Sequence, residues 1–309
     1  MGVTEQHTSF EFPIVGHGPK LASRDLSADY AHCFEVMRGA SKNYSFASMV
    51  LPASKSHHVA ALYAVMRVGD DRVDVSSNGF ASPLAAIEDW RDSYWRAFEM
   101  GDSPHPVLRA YLHTSHELHI PPELLHTYFR AMIEDLTIKR FTDFAALLHY
   151  MDGSAIPVGR VMAHILGTHT PHVSDVYEGA DALSIAMQLS NFWRDIGEDW
   201  GIGRVYLPQE DMAHFGVTED NLANQRVTPA FIDLLEFEFE RTEQYYVKAR
   251  EAVHDLASGR WAVMAALEIY RAIILNIRRN HYDVFTRRNG ANRNEKIRLA
   301  MKAWRQTRF

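Results

Sequence analysis

Nearly every long apolar stretch of this sequence repeats at three- and four-residue spacing, the period of a helix that buries one face. The pattern runs through 27–40, 53–68, 84–100, 121–135, 141–166, 179–200, 229–256 and 259–285. Strand signals are sparse: few Val/Ile/Thr runs alternate, and no Asn-Gly or Asp-Gly turn joins two of them. Breakers such as Asp102-Ser103-Pro104 with Pro106, Pro121-Pro122 and Gly201 to Pro208 separate the segments by short connections, which suit packed antiparallel helices. No internal repeat or low-complexity linker divides the 309 residues, so the sequence predicts a single all-α domain. Pro13, Gly16, Gly18 and Pro19 mark residues 1–24 as an irregular arm before a domain over 25–290.

One cysteine, Cys33, excludes an internal disulfide framework and suits a reducing, cytoplasmic setting. No run approaches the roughly 18 apolar residues of a membrane span, and the polar start has no signal-peptide core. The net charge of −7 is unevenly placed: from Arg271 onward there are eleven Lys/Arg and two Asp/Glu. Residues 291–309 form a basic tail in which Ile297, Met301 and Trp304 make one apolar stripe, with Arg298, Lys302, Arg305 and Arg308 largely off it. That pattern predicts peripheral contact with an anionic membrane, and no nucleic-acid role.

Two acidic clusters interrupt otherwise apolar helices. In Arg67 to Asp74 the carboxylates of Asp70, Asp71 and Asp74 are expected on one side of a helix, over about one turn. In the second, at about 100° per residue, Gln188, Asn191, Asp195 and Asp199 fall within a stripe about 80° wide. Like charges so spaced repel, so a positive partner is expected. Oxygen-only ligands point to a hard cation, and incomplete shells suit Mg²⁺ bridging to phosphates, with Mn²⁺ as a substitute. Each cluster also carries an arginine suited to phosphate, Arg67 and Arg194. A solvated acidic face would explain one such cluster more readily than two. His57-His58 and the trio His113, His116 and His119 have metal-set spacing but read as loop or surface histidines, and Cys33 as a packed residue.

The stretch QLSNFWRDIGED, Gln188 to Asp199, with GRVYLPQEDM from Gly203, resembles the second aspartate-rich signature of the squalene/phytoene synthase family. ALYAVMRVGDDRVD, Ala61 to Asp74, resembles the first signature, and SKNYSFASMVLP and YMDGSAIPVGRVMAHILG resemble two further blocks. The C-terminal IYRAIILNIRRNHYDVFTRR is similar to the end of the phytoene-synthase type. The resemblance implies an isoprenoid-synthase helical bundle around an apolar cavity, and head-to-head condensation of two prenyl diphosphates. It implies that Asp70, Asp71 and Asp74 hold Mg²⁺ on one side and Asn191, Asp195 and Asp199 on the other, beside Gln188. Arg67, Arg194, Tyr270 and Arg287 match positions near the diphosphates, Tyr150 the tyrosine near the reacting carbons, and Ser41 and Tyr44 the small residue and aromatic of the first block. Tyr63, Tyr150, Phe192 and Tyr270 are expected to line the path of a carbocation.

The sequence departs from the family at Ala40, where His is usual, at Gly69, which costs a helix interior about 1 kcal/mol relative to Ala, and at Met151 and Ile156-Pro157. The last change, with Phe192-Trp193 and Trp200, is similar to the hydroxysqualene-synthase branch. The leading expectation is a Mg²⁺-dependent phytoene-type synthase that joins two geranylgeranyl diphosphates through prephytoene diphosphate without NADPH. The alternatives are a squalene or hydroxysqualene synthase acting on farnesyl diphosphate, a terpene cyclase, and a non-catalytic helical module.

Overall fold

The chain's helices begin where local chemistry allows them to begin. In the computed structural model, which describes residues 21, 24–40, 51–74 and 79–307, the first are α1 (Ser27–Ala40) and α2 (Ala53–Asp74). Ser82 then caps α3 (Pro83–Met100) by accepting from the Ala85 amide at 3.1 Å, and Gly101 ends it in the left-handed conformation. Pro106, expected as a breaker, instead opens α4 (Pro106–Glu117), because a proline fits the first turn, where its missing N–H has no partner to lose. The sequence reading missed this helix for that reason. Pro122 likewise opens α5 (Pro122–Glu134).

The continuous helix expected over 141–166 is two: α6 (Phe144–Ser154), capped by Asp143, and α7 (Ile156–Leu166), with the break at Ala155 before Pro157. The next long segment also divides, into α8 (Tyr177–Arg194) and α9 (Ile196–Gly201). Two short helices, α10 (Gln209–His214) and α11 (Glu219–Ala223), lead to α12 (Pro229–Ala252), capped by Thr228. Helices α13 (Arg260–Arg279) and α14 (Arg293–Gln306) complete the order. Among the described residues the only β pairing is an isolated bridge between Thr168 and Leu256, so the fold is all-α.

The two larger apolar clusters among the described residues fill most of the bundle. One joins α1 to α5 around Trp90, Tyr94, Tyr111 and Phe129; the other packs α8 against α12 and α13 around Trp193, Phe231, Phe239 and Tyr246. Helix α7 joins them, giving Val161 and Ile165 to the first and Ile156 to the second. Trp193 fixes the back of α8 by donating to Thr242 Oγ1 on α12 at 2.9 Å, which leaves Asn191 and Asp195 on another face. The basic tail folds back as α14: Ala300 and Ala303 are buried against α13, and the Trp261 indole donates to the Ala300 carbonyl at 2.9 Å. Among the described residues no helix is long and apolar enough to cross a membrane.

Candidate active site

The last turns of α2 carry the first acidic cluster. Arg67 and Asp71, one turn apart, form an ion pair. Asp70 turns toward α5 instead, where the Tyr128 hydroxyl lies 2.9 Å from its Oδ1 and 3.0 Å from the Met66 carbonyl oxygen. Asp70 and Asp71 thus have different partners, while the side chain of Asp74 lies outside the described residues. Gly69 now has a reason: a Cβ there would stand 3.0 Å from the Tyr128 hydroxyl oxygen. Arg72 leaves in another direction, to Asp89 at 2.5 Å and over the Trp90 ring. Arg67 keeps its Nε buried with no hydrogen-bond partner among the described residues.

The second cluster sits where α8 gives way to α9. Asp195 caps both helices, and its amide still donates to the Asn191 carbonyl at 2.9 Å, while the Asp199 amide donates to the Asp195 carbonyl at 2.8 Å. Helical register thus survives the break, and Asn191, Asp195 and Asp199 remain in one row, with the half-buried Gln188 a turn before them. Arg194 grips both oxygens of Asp195 at 2.7 and 2.5 Å. Burial, followed by the charge of Asp195, pushes the Asp199 carboxyl up to about 7, against the opposing pull of Arg204 and Arg194. Gly197 lets α9 lie directly on the loop after α13, since a Cβ there would be 2.9 Å from the Phe285 Cα and the Val284 oxygen.

Tyr270, on α13, joins the two clusters. Burial raises its phenol pKa, Arg194 pulls it down, and Asp195 and Tyr63 push it up, so it lies within electrostatic reach of both the α8 end and α2. Tyr63 is one turn before Arg67 on α2 and acts on that guanidinium too. Tyr270 is thus influenced by Arg194 and Asp195 at the end of α8 and by Tyr63 on α2.

An aromatic wall adjoins this region. Phe192, beside Asn191 on α8, stacks on Tyr206 with ring centres 3.9 Å apart. Tyr150 packs against Phe141 at 5.2 Å and Tyr206 at 6.0 Å. Its hydroxyl donates to Asp135 Oδ1 at 2.9 Å, and Arg204 holds the other oxygen of that carboxylate at 2.6 Å. Burial, with Tyr206 and Asp135 close by, raises the Tyr150 phenol far above its ordinary value, so it remains neutral. Asp199, Arg204, Tyr206 and Phe192 line a common small pocket, which ties the wall to the acidic row.

Not every expected residue joins this group. Arg287 stands on the exposed loop after α13, paired with Asp283 at 3.7 Å, while its neighbour Arg288 reaches Glu198 at 4.0 Å. Ser41 and Tyr44 lie outside the described residues. His58, expected on a loop or the surface, is buried on α2, because its Nδ1 pairs with Thr114 Oγ1 at 2.9 Å. Asp135, Arg204, Tyr206 and Phe141 were missed. The signal for two of them was present, since Arg204 and Tyr206 stand in the GRVYLP segment, but nothing in a linear pattern pairs Asp135 with Tyr150.

Residues 37–302 match the sequence profile of squalene/phytoene synthase. The chain belongs to the squalene/phytoene synthase family. A phytoene synthase of Arthrospira platensis is 31% identical over 273 residues, covering 85% of this chain and 88% of the relative. The 15-cis-phytoene synthase of Synechococcus elongatus is 30% identical over 286 residues, covering 87% and 90%. Among solved structures, a dehydrosqualene synthase superposes with a TM-score of 0.83 at 26% identity, covering 91% of this chain and 97% of the other. The squalene synthase HpnC from Alicyclobacillus acidocaldarius gives 0.75 at 27% identity, covering 84% and 96%. As a squalene/phytoene synthase the protein is a prenyltransferase of isoprenoid biosynthesis.

Proposed function

We propose that the chain condenses two geranylgeranyl diphosphates head to head, through prephytoene diphosphate, to phytoene, with release of diphosphate. The observation that carries this reading is the pair of arginine–aspartate groups, Arg67–Asp71 on α2 and Arg194–Asp195 at the end of α8, with the wall of Phe141, Tyr150, Phe192 and Tyr206 beside the second. The similarity to two phytoene synthases over most of their length supports the choice of product.

Asp70, Asp71 and Asp74 on α2, with Asn191, Asp195 and Asp199 from α8 and α9, are the residues that would hold Mg²⁺ or Mn²⁺. The donor set fits a hard cation because every ligand atom is oxygen. When bound, the metal supplies Lewis-acid neutralisation of the charge that grows on the departing diphosphate. Arg67 and Arg194 offer that diphosphate charged hydrogen bonds, and the Arg67 Nε, buried with no hydrogen-bond partner among the described residues, supports an anion there. The aromatic faces favour the allylic cation left behind and keep water from it. Because closure to phytoene ends in proton loss, the reading needs no NADPH.

A farnesyl diphosphate reaction ending at squalene or hydroxysqualene is the second reading. It is favoured by the likeness to solved dehydrosqualene and squalene synthases and by Ile156-Pro157 at the start of α7. Diphosphate release measured separately with the two substrates tests the choice: faster turnover of geranylgeranyl diphosphate supports the lead, and faster turnover of farnesyl diphosphate reverses it.

We further propose that α14 rests on an anionic membrane, which would receive the hydrophobic product. Ile297, Met301 and Trp304 are 46%, 52% and 41% exposed, on a flank that adjoins buried Ala300 and Ala303. Lys302 leaves the basic set, because it binds the buried Glu268 at 3.1 Å; Arg298 and Arg305 remain exposed, and Arg308 is outside the described residues. Met301→Glu should reduce sedimentation with anionic liposomes at low salt; unchanged sedimentation contradicts the proposal.

A further inference from the structure

A second cluster of ligating side chains lies at the opposite end of α2 from Asp70 and Asp71. His57 and His58, in its second turn, face the last turn of α4, and one ligand atom from each of His57, His58 and Glu117 lies within 4.8 Å of the others. The two imidazole rings are 3.8 Å apart. His58 Nε2 stands 3.8 Å from Glu117 Oε2, and His113 Nδ1 stands 3.4 Å from the same oxygen. The Tyr30 hydroxyl, from α1, is 2.9 Å from His113 Nδ1.

We infer that His57, His58 and Glu117 form a binding site for a divalent transition-metal ion, with Zn²⁺ the best match. Two imidazoles and one carboxylate are the ligand types of zinc sites, and they distinguish this place from the all-oxygen clusters that suit Mg²⁺. His58 is already arranged as a ligand. Its Nδ1 is engaged by Thr114 Oγ1 at 2.9 Å, which fixes the ring and turns Nε2 toward Glu117, as outer partners do for metal-bound histidines.

The donor atoms stand wider than a shell with zinc distances of about 2.0–2.2 Å requires, so at least one must move inward. Glu117, on the final turn of α4 and 51% exposed, has room to do so, and water would complete the tetrahedron. The ion would link α4 to the start of α2. Asp71 lies thirteen positions beyond His58 along that helix, about 20 Å at 1.5 Å per residue. The site is thus separate from the diphosphate region and independent of the proposed reaction.

The test uses the full chain, stripped with chelator and then held in excess Mg²⁺ so that the aspartate clusters are occupied. Cobalt titrated into it should give the visible absorption of a tetrahedral ion at one equivalent, and Zn²⁺ should displace it and raise Tm. His57→Gln and Glu117→Ala should each weaken zinc binding by about tenfold or more, with unchanged circular dichroism, whereas Asp71→Asn should bind zinc as the parent does. Absence of stoichiometric binding, or zinc affinity in His57→Gln and Glu117→Ala equal to that of the parent, overturns the inference. Loss of zinc binding in Asp71→Asn does the same, by assigning the ion to the aspartates.

Discussion

Tyr150 donates its hydroxyl hydrogen to Asp135 across 2.9 Å, and the carboxylate that receives it is anchored on its other side by Arg204. The phenol is therefore aimed as well as neutral. A hydrogen bond to a charged group is worth about 1.5–3 kcal/mol, so Asp135→Asn should lower kcat by about ten- to a hundredfold. KM should change little, since Asp135 belongs to the aromatic wall and not to the arginine–aspartate groups. Steady-state kinetics check the split; a rise in KM at unchanged kcat would place Asp135 in substrate binding.

Each acidic cluster supplies only part of a metal shell, and substrate phosphate must complete it. Asp71→Asn and Asp195→Asn should each reduce turnover by about a hundredfold or more while far-ultraviolet circular dichroism stays that of the parent. Excess chelator should do the same to the parent protein, reversibly on adding Mg²⁺. Full activity in either variant, or in chelator, contradicts the assignment.

Gly69 and Tyr128 should show coupled stability. Alanine at 69 gains about 1 kcal/mol of helix propensity, but its Cβ would stand 3.0 Å from the Tyr128 hydroxyl oxygen, and overpacking of this kind costs about 1–3 kcal/mol. Gly69→Ala should lower Tm in the parent and raise it in a Tyr128→Phe background. The same sign in both backgrounds would mean that Tyr128 does not set the requirement for glycine.

Glu238 is fully buried on α12 and shares Arg241 with Asp211, one guanidinium for two carboxylates. Burial raises its pKa to about 8, Arg241 opposes the rise and Asp211 adds to it. The folded state therefore holds a proton that the unfolded state releases near 4.5, so Glu238 makes stability fall as pH rises from about 4.5 to about 8. Glu238→Gln should flatten that part of the stability curve, read from urea midpoints at stepped pH. An unchanged slope would locate the proton elsewhere.

The acidic rows were legible in the sequence because helical spacing alone puts Asn191, Asp195 and Asp199 together, and the structure keeps that row even across the break at Asp195. Spacing does not foretell the different partners of Asp70 and Asp71, because Tyr128 comes from another helix while Arg67 is one turn away on the same one. Helix α4 was hidden because Pro106 signals a break and a first turn equally well. The Asp135–Tyr150 pair was illegible for a further reason: the bond forms across the turn between α5 and α6, and Arg204, 69 positions from Asp135, completes it. Local periodicity places ligands along one helix, whereas packing decides which partner each one meets.

The most direct test of the whole account is the identity of the product. Purified protein with Mg²⁺ is incubated with geranylgeranyl diphosphate or farnesyl diphosphate, each with and without NADPH, and the hydrocarbon is identified by mass. Phytoene is expected from geranylgeranyl diphosphate in the absence of NADPH. Consumption of farnesyl diphosphate alone, with a reduced hydrocarbon formed only when NADPH is present, would contradict it.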